Sequence, residues 1–187
     1  MHNNHRIHII GGQGSGKTTL ARRLGTLLDA PYYDLDEVGY EGGFGAKRPL
    51  EARLADIERI IAQPSWITEG GFIWWIDDLL RAADTIVWLD LPWRIRRWRI
   101  LTRHIKADLA RNNRHPGYLN LYNFYIRSRE YHRSTTLLTL NPDEGLANDS
   151  SNRVTVAHKL TPYQEKVVQC HSPADVKAFV TRLSVVR

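Results

Sequence analysis

Cysteine is almost absent from the chain, and so are long apolar runs. The 187 residues include one cysteine, Cys170, which excludes an internal disulfide framework and a zinc site built from several cysteines. No stretch is long and apolar enough to predict a membrane span or a signal peptide, so we expect a cytoplasmic protein without a membrane partner. Acidic residues are the minority charge: 20 Asp and Glu face 26 Lys and Arg, for a net charge of +6. That surplus favours an anionic partner such as a nucleotide or nucleic acid.

Short apolar runs alternate with amphipathic segments along most of the chain. Strands are predicted at residues 6–10, 31–36, 65–71 and 84–92, and at the start of 165–183. Helices are predicted at residues 16–29, 50–62, 73–82, 92–111 and 119–138, and at the end of 165–183. This alternation predicts one α/β domain over residues 1–187, with about five parallel strands in a three-layer α/β/α arrangement. Residues 139–164 are rich in turn formers, so we expect a surface insertion there, with a hairpin around residues 153–160.

The stretch from Gly11 to Thr18 carries the strongest functional signal. Its pattern, Gly11-x4-Gly16-Lys17-Thr18, matches the phosphate loop G-x-x-x-x-G-K-[ST], between a predicted strand and a predicted helix. Bare glycine backbone lets successive N–H groups surround a polyphosphate, and the helix N-terminus adds its positive dipole end. Lys17 can then reach the β- and γ-phosphates of ATP while the Thr18 hydroxyl ligates Mg²⁺. The residues predicted to bind the nucleotide are Gly11, Gly12, Gln13, Gly14, Ser15, Gly16, Lys17, Thr18 and Thr19.

Other segments resemble adenylate kinases. Pro92 follows a predicted strand, and Arg99 and Arg103 stand seven and eleven positions later, as where those enzymes leave their fourth strand and enter the lid. Residues 125–132 are similar to the arginine-bearing helix that returns from that lid. The sequences DLD, WITEG and ADTIVWLDLP are most similar to small adenylate-kinase-like proteins labelled "topology modulation protein". The resemblance covers about residues 6–133 and 165–184, and it implies a P-loop kinase fold with a mobile helical lid.

The chain also departs from the adenylate-kinase pattern. Where those enzymes have Asp-Gly-Phe-Pro-Arg, this sequence has Glu69-Gly70-Gly71-Phe72-Ile73. The arginine that would hold an acceptor phosphate is therefore missing at that point. Lys47 or Arg48 would have to replace it from a loop, and a nucleoside monophosphate acceptor is accordingly disfavoured.

The Asp34-Leu35-Asp36 sequence suggests a different acceptor. In a strand, residues i and i+2 face the same side, so both carboxylates would meet one cleft. Such a pair can order Mg²⁺ waters and accept a proton from an attacking hydroxyl; the alternative is a pair of solvated or helix-capping acids. Shikimate-kinase-like enzymes carry Asp-x-Asp at this point, which implies that Asp34 lies near Mg²⁺ and Asp36 holds the acceptor hydroxyl. Glu69, at the end of a predicted strand beside the P-loop, is a further candidate to hold Mg²⁺ through water, whereas Asp90 is expected to be structural.

Residues 94–114 hold seven arginines and one lysine against a single acid. A guanidinium is permanently charged and binds two phosphate oxygens at once, so arginines placed over a transferring phosphoryl group stabilise its charge. This role is predicted for Arg99, Arg103 and one of Arg127 or Arg129, on a lid over about residues 94–130 with its tip near 110–120. Three neighbours are expected at the surface: Arg94, Arg96 and Arg97. Arginines interleaved with Trp98 also fit a nucleic-acid-binding face, and Trp98 with its aliphatic neighbours fits a core stripe.

Together these features predict an ATP- and Mg²⁺-dependent kinase that transfers the γ-phosphoryl group to a small acceptor, either a nucleotide or a metabolite with a hydroxyl. Thr18 with Asp34 or Glu69 would hold the metal, and Asp36 would orient or deprotonate the acceptor. One alternative is a nucleotide-dependent nucleic-acid-binding protein, and another is a nucleotide-binding module without turnover. Five aromatic residues lie near the proposed acceptor site and suit stacking on a flat or sugar-like compound, or packing in the core. They are Tyr40, Phe44, Phe72, Trp74 and Trp75.

Overall fold

The computed structural model describes residues 5–109, 118–140 and 149–185, and in this part of the chain five strands form one parallel sheet. The strands are Arg6–Gly11 (β1), Tyr32–Asp34 (β2), Trp66–Gly70 (β3), Thr85–Leu89 (β4) and Val167–Cys170 (β5). Their spatial order is β2-β3-β1-β4-β5. The all-parallel sheet with flanking helices is confirmed. Because β1 lies at the centre, the loop that follows it emerges in the middle of the carboxyl edge of the sheet.

Eight α-helices accompany the sheet in the described residues. They are Lys17–Leu28 (α1), Leu35–Gly39 (α2), Leu50–Ile61 (α3), Asp77–Ala82 (α4), Trp93–Leu109 (α5), Tyr118–Arg133 (α6), Arg153–Leu160 (α7) and Pro173–Val185 (α8). Short 3₁₀ turns at Glu41–Gly43 and Thr161–Lys166 connect some of them. None of the helices described is long and apolar enough to cross a bilayer.

Two apolar cores cover the two faces of the sheet. Ile10 and Trp88 face one core, and their strand neighbours Ile9 and Val87 face the other, because successive side chains of a strand alternate between faces. A sheet covered on both sides needs strands that are apolar at nearly every position. At the carboxyl edge, Asp34 ends β2, Glu69 is the last residue but one of β3, and Asp90 follows β4.

The hairpin predicted around residues 153–160 is wrong, because these residues form α7. Asn152 begins this helix: its side-chain oxygen accepts a hydrogen bond from the Thr155 backbone N–H at 2.8 Å, as an N-cap does. The consecutive β-branched residues 154–156 favour a strand. The Asn152 cap and the buried Val156 and Leu160, four residues apart on one face, favour the helix. Within the stretch predicted as an insertion, α7 thus packs into the core, and residues 141–148 lie outside the described part.

Helices α5 and α6 pack side by side. Trp93 and Tyr125 meet edge to face with ring centroids 5.0 Å apart, and the Arg103 guanidinium lies 5.7 Å from the centre of the Phe124 ring. These two helices occupy most of the predicted lid, residues 94–130. Residues 110–117, which include most of the predicted lid tip, lie outside the described residues.

Candidate active site

The phosphate-loop sequence lies between β1 and α1, as its pattern predicts. Gly14 and Gly16 have φ angles of +74° and +98°, a backbone conformation that only glycine adopts without strain. Helix α1 then begins at Lys17, and the Leu20 N–H donates to the Gly16 carbonyl. The helix N-terminus therefore opens at the carboxyl edge of the sheet, where unpaired N–H groups can face an anion. The predicted nucleotide-binding residues run from Gly11, the last residue of β1, through this loop to Thr19 in the first turn of α1.

Lys17 lies among three carboxylates. Burial lowers the pKa of Lys17, and the negative charges of Glu69, Asp36 and Asp34 oppose that shift. The Thr18 hydroxyl donates to Glu69 Oε1 at 2.5 Å. Asp34 and Glu69 are paired neighbours at the ends of β2 and β3. The residues predicted to hold phosphate, metal and acceptor therefore meet at one place.

The strand geometry predicted for the Asp34 and Asp36 pair is wrong, although both side chains do reach the site. Strand β2 ends at Asp34, and Asp36 lies in the first turn of α2. The Asp34 side chain is the N-cap of α2 and accepts a hydrogen bond from the Asp36 backbone N–H at 2.9 Å, because an acidic side chain before a helix satisfies its free N–H groups. The two carboxylates are brought together by a strand-to-helix turn and not by strand alternation.

Burial also shifts the pKa values of two of these carboxyl groups, Glu69 and Asp36. Desolvation raises the pKa of Glu69, while Lys17 and the hydrogen bond from Thr18 oppose the shift. Partial desolvation raises the pKa of Asp36 as well, and the neighbouring Asp34 carboxylate adds to it. The outer side of Asp36 nevertheless stays exposed to solvent. An exposed carboxylate with a raised pKa is suited to accept a proton from a bound hydroxyl.

Two arginines of α5 hold the outer side of the P-loop. Arg99 Nη1 donates to the Ser15 carbonyl at 2.7 Å, and Arg96 Nε donates to the Gln13 carbonyl at 2.8 Å. Arg99 was predicted at the phosphates, and the structure brings it to the loop. Arg96 was expected at the surface, but that expectation is wrong: it is 1% exposed, and its guanidinium stacks on the Tyr131 ring at 4.8 Å.

The P-loop glycines give α5 room to approach. A Cβ on Gly12 would lie 2.4 Å from Arg96 Nη2, and a Cβ on Gly14 would lie 2.8 Å from Ile100 Cγ1. Both distances are shorter than a carbon contact allows. From the sequence, these glycines were predicted to serve phosphate binding alone. The contacts show that the close packing of α5 on the loop also requires glycine at both positions.

The remaining predicted arginines lie further out on the two helices. Arg103 on α5 is exposed beside Phe124, and on α6 Arg127 is exposed and Arg129 is half-buried. Their predicted role over the phosphates stays a prediction. The side chains of Trp98, Leu101, Ile105 and Leu109 are exposed, so the alternative that Trp98 and its aliphatic neighbours pack in the core does not hold for the described residues.

Most of the aromatic residues predicted near the acceptor are core side chains. Phe72, Trp74 and Trp75 are buried, whereas Phe44 is exposed. Tyr40 is half-buried, and its ring centroid lies 6.2 Å from that of Phe72. Tyr40 and Phe44 are therefore the members of this set with surface left for a bound compound.

Asp90, expected to be structural, binds Arg153 of α7 through both carboxylate oxygens at 2.7 and 2.8 Å.

Oxygen donors around Lys17 fit a magnesium ion. Residues 5–109, 118–140 and 149–185 contain no group of three or more His, Cys, Asp and Glu side chains that could hold a metal by themselves. Magnesium in phosphoryl-transfer sites uses one or two protein carboxylates and takes its other ligands from phosphates and water. The Thr18 hydroxyl with the Glu69 and Asp34 carboxylates is such a set.

Comparison with solved structures finds proteins of similar fold. The chain is similar to a shikimate kinase from Acinetobacter baumannii in complex with shikimate, with a TM-score of 0.52 at 15% identity over 99% of this chain and 94% of that one. It is also similar to a sugar kinase from a Janibacter species (TM-score 0.48, 16% identity, 96% and 94% covered). A gluconokinase from Sinorhizobium meliloti gives a TM-score of 0.45 at 15% identity, with 97% and 94% covered. No family model matches the sequence, and no curated protein matches it. The sheet order and the phosphate loop define a P-loop NTPase fold, which is the fold of the shikimate kinase to which this chain is similar.

Proposed function

We propose that this protein is an ATP- and Mg²⁺-dependent small-molecule kinase. The observation that carries the proposal is the meeting of the P-loop Lys17 with the carboxylates of Asp34, Asp36 and Glu69 at one edge of the sheet. Asp36 adds a further acid on the exposed side of this cluster, where a bound acceptor hydroxyl could reach it. The similarity to kinases of known structure supports the same class, and the sequence resemblance adds that the chain is adenylate-kinase-like, of the "topology modulation protein" type.

The proposed reaction transfers the γ-phosphoryl group of ATP to a hydroxyl. The acceptor oxygen forms a bond to the γ-phosphorus, the bond from phosphorus to the β–γ bridging oxygen breaks, and ADP leaves. The hydroxyl proton passes to the Asp36 carboxylate. Lys17 and the loop N–H groups hold the phosphates in line, which supplies positioning and charge stabilisation.

Thr18, Glu69 and Asp34 are the residues that would hold Mg²⁺, directly or through water. When bound at these residues, the ion would supply positive charge that stabilises the phosphates of ATP. Arg99, already at the loop, would add a further positive charge, and Arg103 with Arg127 or Arg129 would complete the set from the lid.

An ATP-consumption screen with two variants tests the proposal. Lys17→Ala should lower turnover by orders of magnitude while the circular dichroism spectrum stays native, and Lys177→Ala on the exposed face of α8 is the matched control. Asp36→Asn should lower turnover far more than ATP affinity, with the neighbouring Glu37→Gln as its control. Unchanged turnover in Lys17→Ala would refute a P-loop reaction, and an equal loss of affinity and turnover in Asp36→Asn would refute its role at the acceptor.

A second candidate function rests on the outer face of α5. Trp98 is 65% exposed there, and Arg94 and Arg97 are exposed near it. Exposed tryptophan flanked by arginines suits stacking on bases with contacts to a phosphate backbone. Binding of single-stranded RNA or DNA that falls steeply with rising salt, and that Trp98→Ala weakens, would support this function.

A further inference from the structure

The carboxylate of Asp149 is surrounded by three side chains that donate hydrogen bonds or carry positive charge. Its Oδ2 atom accepts from the Tyr40 hydroxyl at 2.7 Å and pairs with Lys47 Nζ at 3.0 Å. Its Oδ1 atom pairs with Arg53 Nη1 at 3.3 Å. The Asp149 side chain is 12% exposed. Two cations and a phenol therefore converge on one carboxylate, which is how proteins bind a carboxylate or a phosphate ligand.

Arg53 is the member of this set that cannot be left without an anion. It lies on α3 and is 1% exposed, its Nε donates to the Arg48 carbonyl at 2.8 Å, and its guanidinium lies 5.6 Å from the centre of the Trp75 ring. The Arg48 carbonyl and the Trp75 ring are neutral, so the buried guanidinium still needs a paired negative charge to offset its lost hydration. Asp149 is the carboxylate that the chain supplies.

Tyr40 links this carboxylate to Asp36, because its hydroxyl donates to Asp149 and its backbone N–H donates to the Asp36 carbonyl at 2.9 Å. The negative charge of Asp149 contributes to the raised pKa of Asp36, so the two acids are close enough to interact. The Trp74 Nε1–H donates to the Ser150 carbonyl at 2.8 Å, and a Cβ on Gly71 would lie 4.0 Å from Ser151 Oγ. Ser150 and Ser151 thus lie beside the segment that follows β3, the strand that carries Glu69.

Lys47 and Arg48, which the sequence analysis considered as partners of an acceptor phosphate, each form an ion pair with an acidic residue of the chain. Lys47 pairs with Asp149, and Arg48 Nη1 pairs with Asp56 at 2.6 Å and also donates to the Val38 carbonyl at 2.9 Å. An anionic acceptor would have to displace one of these carboxylates and would meet the negative charge of Asp36.

We propose that Asp149 fills the anion-binding position formed by Tyr40, Lys47 and Arg53, so that the acceptor is an uncharged hydroxyl compound and not a carboxylate or a phosphomonoester. The statement about the acceptor rests on the proposed kinase function, whereas the occupation of the anion position by Asp149 does not depend on it. Asp149 acts as a specificity residue: it supplies the charge that Arg53 needs and repels a second anion.

Acetate binding tests the anion position without turnover. In Asp149→Ala the buried Arg53 loses its partner, and added acetate should replace it and raise the melting temperature. A charge at about 4–6 Å changes such equilibria by one to three powers of ten, so acetate should bind this variant at least about ten-fold more tightly than it binds the wild type. Sodium chloride at equal ionic strength controls for screening. Asp56→Ala, which removes the acid paired with the less buried Arg48, controls for loss of any acid from an arginine pair.

An acceptor panel completes the test. Wild-type protein should consume ATP with neutral polyols and not with the matching carboxylates or monophosphates, and Asp149→Asn, which keeps the side-chain volume, should gain activity with the charged compounds. Equal acetate stabilisation of wild type and Asp149→Ala, or stabilisation of neither, overturns the proposal. Wild-type turnover of a monophosphate as efficient as that of a polyol does the same. Failure of Mg²⁺ and ATP to stabilise any variant would instead reject the kinase function and leave the acetate result to decide the anion position.

Discussion

Replacing Gly14 by alanine should destabilise the protein through two separable effects. The φ angle of +74° is unfavourable for alanine, at a cost of roughly 1–2 kcal/mol. The new Cβ would also lie 2.8 Å from Ile100 Cγ1 and 2.9 Å from the Arg96 carbonyl oxygen. The second neighbour is backbone inside α5 and cannot rotate away, so the overpacking adds about 1–3 kcal/mol.

Gly42→Ala is the matched control for the backbone effect. Gly42 has a φ angle of +62°, and a Cβ there would have no neighbour within 4 Å. This variant therefore carries the strain without the clash. Subtracting its change in the free energy of unfolding from that of Gly14→Ala leaves the contact between the P-loop and α5, which we expect to be about 1–3 kcal/mol.

Urea unfolding followed by far-UV circular dichroism measures both variants. A difference of about 1–3 kcal/mol corresponds to roughly 2–12 °C in melting temperature for a chain of this size. Thermal unfolding is therefore a second, independent readout. If Gly14→Ala is no less stable than Gly42→Ala, the close packing of α5 on the loop is not part of the fold in solution, and the positions assigned to Arg96 and Arg99 fall with it.

Two further variants probe buried groups beside the site. Arg96→Met keeps most of the side-chain volume but leaves the Gln13 carbonyl without its donor, and it should lower the free energy of unfolding by about 1–3 kcal/mol in urea; an unchanged midpoint would contradict the buried contact. Burial and the nearby Lys17 charge lower the pKa of His8 from 6.5 to about 3, so between these values the folded chain binds fewer protons there than the unfolded chain. The stability that His8 contributes is therefore complete above pH 6.5 and is lost as the pH falls, by up to about 1.4 kcal/mol per pH unit. His8→Asn should lose less stability than the wild type between pH 7 and pH 5, and equal losses would show that His8 does not stay neutral.

The fold could be predicted because its signals are local. The apolar run of β1, the Gly11-x4-Gly16-Lys17-Thr18 pattern and the alternation of strands with helices each depend on residues close in sequence. The hairpin predicted at residues 153–160 failed because the Asn152 cap and the core contacts outweigh the β-branched pattern. Strand preference is weak against tertiary packing.

The residue types of the site could be predicted from the sequence, but the contacts that position its side chains could not. Asp34 and Asp36 were found from their spacing, but the turn that joins them depends on a cap and not on a strand. Arg96 was indistinguishable by sequence from its exposed neighbours on α5. Asp149 gave no signal, because its partners Lys47 and Arg53 lie about a hundred residues earlier in the chain. Long-range charge pairs of this kind leave no local pattern.

The two arginines of α5 explain how the P-loop can present its N–H groups. In a trans peptide the carbonyl of one residue and the N–H of the next point in opposite directions. Arg96 and Arg99 bind the carbonyls of Gln13 and Ser15 on the side of α5. The N–H groups of Gly14 and Gly16 are thereby turned to the opposite side, where a polyphosphate would lie. The same guanidinium groups place positive charge behind the loop. In the proposed function, α5 would therefore supply both the orientation of the amides that face a polyphosphate and part of the potential that attracts it.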